Sequence, residues 1–154
     1  MPPVAKAFEM ISTAQVAKSA FEARELMLLR PTDGITMNRD RLLADAKARA
    51  LAMVEGYAPA EAKPLRLPGA SGMAALKMAV EGAARLGKAT PHDEVVCAHL
   101  AETLTGGKRA DHTADTTEDQ VRALEVKGFM ALLKTDATLA RVEHMLETGR
   151  PLRN

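Results

Sequence analysis

The sequence predicts an all-α protein of about six to seven short capped helices. Three observations carry this. No stretch alternates apolar and polar residues at period two, so no sheet is expected within the chain. Helix start and stop signals recur: Ser, Thr or Asn ahead of apolar runs at helical spacing, Gly or Pro after them. Aromatic residues are 3% of the chain, so the core must be Leu, Met, Val and Ala, and alanine favours helix.

Taken in order, residues 4–14 allow a short helix behind two prolines. Ser19 and Glu22 fit a capping box, in which hydroxyl and carboxylate each satisfy an orphan backbone N–H; a helix to about Leu28 follows, with Pro31 beyond it. Asn38 caps a helix over 39–54, whose apolar stripe is Leu42, Leu43, Ala46, Ala50, Met53 and Val54, with Gly56 as its stop. Pro59, Pro64 and Pro68 mark a loop, and this is where the chain divides: helical segment 1–56, Pro-rich loop 57–70, helical segment 71–154.

Ser71 opens the next helix, with Met73, Leu76, Val80, Ala83 and Ala84 on one face and Gly87 at its end. Thr90-Pro91-His92-Asp93 combines an N-cap, proline at the first helical position and acid in the first turn. That helix turns Val96, Leu100 and Leu104 inward and stops at Gly106-Gly107. Thr116 or Thr117 caps a helix to about Leu133, with Val121, Leu124, Phe129 and Leu132 inward. Thr135 starts the last helix, with Leu139, Val142, Met145 and Leu146 inward and Gly149 and Pro151 beyond.

Composition narrows the function classes. At 154 residues, an ordinary domain buries about 70% of its unfolded surface, so a real core is expected. A net charge of +1 sets up no field for nucleic acid or a membrane surface. Cys97 is the only cysteine, which excludes an intrachain disulfide and fits a reducing compartment. The first residues carry no signal-peptide pattern, and apolar runs fall short of the roughly 20 residues a membrane helix needs. A cytoplasmic location is the expectation.

No catalytic set converges. His92 and His99 share a helix face, but seven residues at 1.5 Å place them about 10.5 Å apart, too far to share one zinc. They read as polar or capping histidines. Asp111, His112 and Asp115 sit in a polar loop, and His144 lies beside an apolar stripe. Cys97 has no base within helical reach and reads as a small buried thiol. Gly106-Gly107 follows a helix, the wrong polarity for a phosphate cradle. Gly69, Ser71 and Gly72 lead into a helix N-terminus, with Arg66 before and Lys77 after. This is the candidate anion site, although it lacks the G-x-x-x-x-G-K-[ST] spacing.

A series of words along the chain resembles one family: AFEARELML at 20–28, ITMNRD at 35–40 running into RLLADAK, LPGASGMAALKM at 67–78, ATPHD at 89–93, HLAETLTGG at 99–107 and HMLETGRPLRN at 144–154. Together they resemble the C-terminal end of bacterial multifunctional 3-hydroxyacyl-CoA dehydrogenases of fatty-acid β-oxidation. The resemblance implies the helical part of an enoyl-CoA hydratase/isomerase (crotonase-like) module, without its sheet-rich core. NAD and acyl-CoA are implied for the parent enzyme only, and no catalytic residue carries onto this chain. It implies as partners the rest of such an enzyme or a second copy of the chain, together with acyl-CoA. Arg66, Gly69, Ser71, Gly72 and Lys77 are then the expected contact for CoA phosphates. Met27 stands where the family usually has glycine, and Val126-Lys127-Gly128 replaces a more charged stretch.

Two functions are therefore expected. One is a helical segment of such an enzyme, inactive alone, that serves packing, oligomerisation or the border of the acyl-CoA site. The other is a stand-alone helical interaction module. The first predicts exposed apolar surface, and the second predicts no large apolar patch.

Overall fold

Seven α-helices and no sheet make up the chain in a computed structural model, which describes Met1–Asn154. They are α1 (Pro2–Ser12), α2 (Ala20–Glu25), α3 (Leu42–Ala52), α4 (Gly69–Arg85), α5 (Pro91–Thr105), α6 (Glu118–Leu132) and α7 (Asp136–Thr148). A 3-10 turn, Arg39–Arg41, leads into α3. The chain falls into two compact units: Met1–Ala14 with Ala62–Asn154, and Gln15–Glu61.

Helix starts are set by the caps expected. The Thr90 hydroxyl accepts the Asp93 N–H while the Asp93 carboxylate accepts the Thr90 N–H, a complete capping box. Thr117 and Gln120 make the same exchange ahead of α6. Thr135, Asn38 and Ser19 each accept one N–H of the turn they open.

Two boundaries differ from expectation. The α4 helix starts at Gly69, two residues before Ser71, and Pro68 precedes it without a side-chain cap. Ser71 instead donates its hydroxyl to the Pro68 carbonyl. The α2 helix ends at Glu25, because Met27 takes φ +60. There Leu28 N–H bonds the Ala23 carbonyl and Met27 N–H bonds that of Arg24, a Schellman stop. Gly87 occupies the same place after α4 at no steric cost. A left-handed residue with a Cβ is strained by about 1–2 kcal/mol, so Met27 sits where glycine would fit without that cost. Met27→Gly is expected to slow amide exchange at Leu28 several-fold, corresponding to about 1 kcal/mol of local stability.

In the larger unit α5 is the central helix, and α4, α6 and α1 pack on it. The buried apolar residues are Phe8, Leu76, Cys97 and Ala101, with Val4, Met73, Val80, Leu100 and Leu104 against them. Small residues set the spacing. A Cβ at Gly128 of α6 would lie 3.2 Å from the His99 Cβ on α5. Fully buried Thr105 closes α5 by donating to the Ala101 carbonyl. Leu65 and Thr116 exchange two backbone hydrogen bonds, an isolated bridge that ties the strand-like entry to α4 to the entry to α6.

The expected large core is not built. No residue of Gln15–Glu61 is buried, and the apolar stripe read on α3 is open: Leu43 is 82% exposed and Val54 68%. Phe129 on α6 and Leu139, Val142, Met145 and Leu146 on α7, read as inward, are exposed. For α6 and α7 the inward reading of these residues is overturned, because periodicity marks an apolar face and not what packs on it. The accessible surface is 11895 Å². A folded monomer of this mass exposes about 7,500 Å², and two separate globules of the units' sizes only about 9,000 Å².

Candidate functional site

The largest set of polar side chains brought together from distant elements is at the joint between the first turn of α5, α7 and residues 150–154. Arg141 on α7 is its node. Its Nη2 donates to Asp93 Oδ1 at 2.8 Å and to the Thr90 hydroxyl at 3.2 Å. Its Nε donates to Asn154 Oδ1 at 2.7 Å. Asn154 in turn donates to the Ala137 carbonyl, and Arg153 donates to the Lys88 carbonyl. The Arg153 guanidinium also lies 3.8 Å from Asp93 Oδ2. Beside this node His92 is buried, its Nε2 2.8 Å from the Thr138 hydroxyl.

The electrostatics follow from burial and from Arg141. Burial, and then the Arg141 charge, hold the His92 imidazole below its ordinary value, against the smaller upward pull of Asp93. Burial acts to raise Asp93, but the Thr90 N–H and the Arg141 guanidinium outweigh it and the carboxyl falls below its ordinary value. Cys97 is pushed up by burial first and by Asp93 second. A thiol held protonated is a poor nucleophile, which agrees with its reading as a core residue. Sequence reasoning missed Arg141, Thr138, Arg153 and Asn154 as partners. The sole local signal was the Thr90–Asp93 cap itself.

At the start of α4, the sequence-predicted residues each meet a partner within the chain. Gly69 takes φ +62, and a Cβ there would fall 2.5 Å from the Ala110 carbonyl oxygen. A Cβ at Gly72 would fall 2.5 Å from Pro68 Cγ and 3.1 Å from Met1 Sδ. These glycines admit neighbouring chain segments. Arg66 pairs with Asp115 at 3.2 Å, and Lys77 lies 3.8 Å from Glu81. Ser71 is exposed.

The remaining titratable candidates do not assemble. Asp111 accepts both the N–H and the hydroxyl of Thr113 in an exposed turn. No group of three His, Cys, Asp or Glu residues is placed to hold a metal. A dinucleotide fold needs a strand leading through glycines into a helix, and the chain has no strand. No helix is long and apolar enough to cross a membrane.

What the fold defines is a set of helices with uncovered apolar faces on α3, α6 and α7. Over 150 residues, 97% of its length, the chain is 37% identical to a probable 3-hydroxyacyl-CoA dehydrogenase of Bacillus subtilis (strain 168). The matched part is 19% of that protein, so the chain spans about a fifth of the relative's length. No protein-family model and no solved structure matches the chain.

Proposed function

We propose that this chain is a helical segment of a 3-hydroxyacyl-CoA dehydrogenase/enoyl-CoA hydratase-type enzyme of fatty-acid β-oxidation, cytoplasmic and of the multifunctional, crotonase-like kind. It is non-catalytic alone and serves packing, oligomerisation or the border of the acyl-CoA site. NAD belongs to the parent enzyme and not to these residues. The observation that carries this reading is the set of large apolar side chains left uncovered on α3, α6 and α7, Leu43, Phe129 and Leu146 among them. It speaks against a stand-alone interaction module, which would hide its apolar faces. The identity to a segment of a 3-hydroxyacyl-CoA dehydrogenase supports the choice of enzyme.

The purified 154-residue chain is expected to bind a hydrophobic dye strongly, to self-associate on size exclusion, and to show no turnover of crotonyl-CoA or 3-hydroxyacyl-CoA. Turnover by the chain alone, or a dye-silent monomer, would overturn the reading.

The same reading carries a CoA-phosphate contact at Arg66, Gly69, Ser71, Gly72 and Lys77. With Gly69 and Gly72 filled by Ala110 and Pro68, that contact falls to the side chains, and Arg66 must exchange Asp115 for phosphate. Calorimetric titration with CoA is expected to give a heat that is lost in an Arg66→Ala/Lys77→Ala double variant. Equal heats remove the site.

A further inference from the structure

On the reading of this chain as an assembly segment, we propose that a second copy of it docks with α3 of one copy against α7 of the other. Both helices leave apolar side chains open: Leu43 and Leu51 on α3, Leu139 and Leu146 on α7. What distinguishes the two faces is the sign of the charge beside them.

On α3, Lys47 stands four residues from both Leu43 and Leu51, which puts the three in one row on the helix surface. Arg49 borders the same apolar surface four residues before Met53. Arg41 and Asp45 pair with each other. Lys47 and Arg49 are exposed and have no acidic partner in the chain. On α7 the matching row is Leu139, Glu143 and Glu147, with Val142 and Leu146 beside it. Asp136 stands three residues ahead of Leu139. These carboxylates are exposed and have no basic partner in the chain. The one arginine of α7, Arg141, is already committed to Asp93.

Each row has its charge four residues from a leucine. Laid together, Lys47 falls opposite Glu143 whether the helices run parallel or antiparallel, and Leu43 or Leu51 falls against Leu139. Pairing a face with its own copy would instead set Lys47 on Lys47 or Glu143 on Glu143, and like charges brought together at an interface repel. The α6 face is a weaker match for α3. Beside Phe129 it offers one unpaired carboxylate, Glu125, and its Arg122 is held by Asp119. Every copy carries one face of each sign, so a pair closes on itself or adds further copies.

Sedimentation of the full chain over a range of concentrations tests this. The wild type is expected to associate. Lys47→Glu and Glu143→Lys are each expected to need about 10-fold more protein to do so, and Glu125→Lys no more than the wild type. Lys47→Glu/Glu143→Lys, which exchanges the two signs, is expected to regain wild-type association. That regain also excludes misfolding as the cause of the single losses. Single variants that associate like the wild type, a double variant that stays weak, or an equal loss in Glu125→Lys overturns the pairing. All three leave the segment reading intact. A wild-type monomer that binds dye also overturns the pairing alone, and assigns the faces to a different protein surface. A dye-silent monomer overturns both.

Discussion

Gly69→Ala is expected to destabilise the unit that contains α4 and α5 by about 2–4 kcal/mol. Two penalties combine. The backbone sits at φ +62, where an L-residue is strained, and the new Cβ would meet the Ala110 carbonyl oxygen at 2.5 Å. That oxygen is backbone, so relief requires the turn at 107–110 to move. A second glycine of the same helix supplies the control. Nothing lies within 4 Å of a Cβ at Gly82, and its φ is ordinary. Gly82→Ala should therefore stabilise by about 0.5–1 kcal/mol through helix propensity. Denaturant titration of both variants reads the contrast. Equal effects of the two would mean that the close approach of Gly69 to Ala110 does not exist in solution.

Arg141→Ala is expected to cost about 1.5–3 kcal/mol, the second large effect. Arg141 and Asp93 are each only about a quarter exposed, so the pair lies between a solvated surface bridge and a buried one. Removing the guanidinium strands Asp93, Asn154 and the Thr90 hydroxyl together. Arg141→Lys should recover less than half, because one ammonium cannot serve the Asn154 and Asp93 sides at once as Nε and Nη2 do. The pH dependence has a definite sign. Asp93 is depressed when folded, so its contribution is present above its unfolded value of about 3.8 and is lost as pH falls below it. The acid limb of the stability profile should therefore flatten in Arg141→Ala. A variant within 0.5 kcal/mol of wild type, with the acid limb unchanged, would mean that the joint is an exposed ion pair of the ordinary weak kind.

What the sequence disclosed and what it withheld divide along one physical line. Caps such as Thr90 with Asp93 and Thr117 with Gln120 involve partners three residues apart, so both partners are visible in any short window. The apolar stripes of α3 and α7 were equally visible, but a stripe states which face is apolar and not what lies on it. Leu146, read as inward on α7, is accordingly 81% exposed. The joint was out of reach for a different reason. Arg141 is 48 residues from Asp93, and Thr138 is 46 from His92, so no local pattern links them. At the start of α4 the glycines were noticed for the right property, closeness of approach, but the visitor is Ala110 or Pro68. Met27 is the converse case: one side chain at a position that wants none shows where the backbone turns left-handed.

The complete capping boxes have a kinetic meaning as well. A helix whose start is fixed by residues three apart needs no long loop closure before it forms, and helices propagate on the sub-microsecond to microsecond scale. The α5 and α6 helices, defined in this way, can be in place before they pack on one another. Docking then has less backbone left to order, so more of the apolar contact energy appears as affinity. Caps that look like local housekeeping therefore also set the order in which the helices can form.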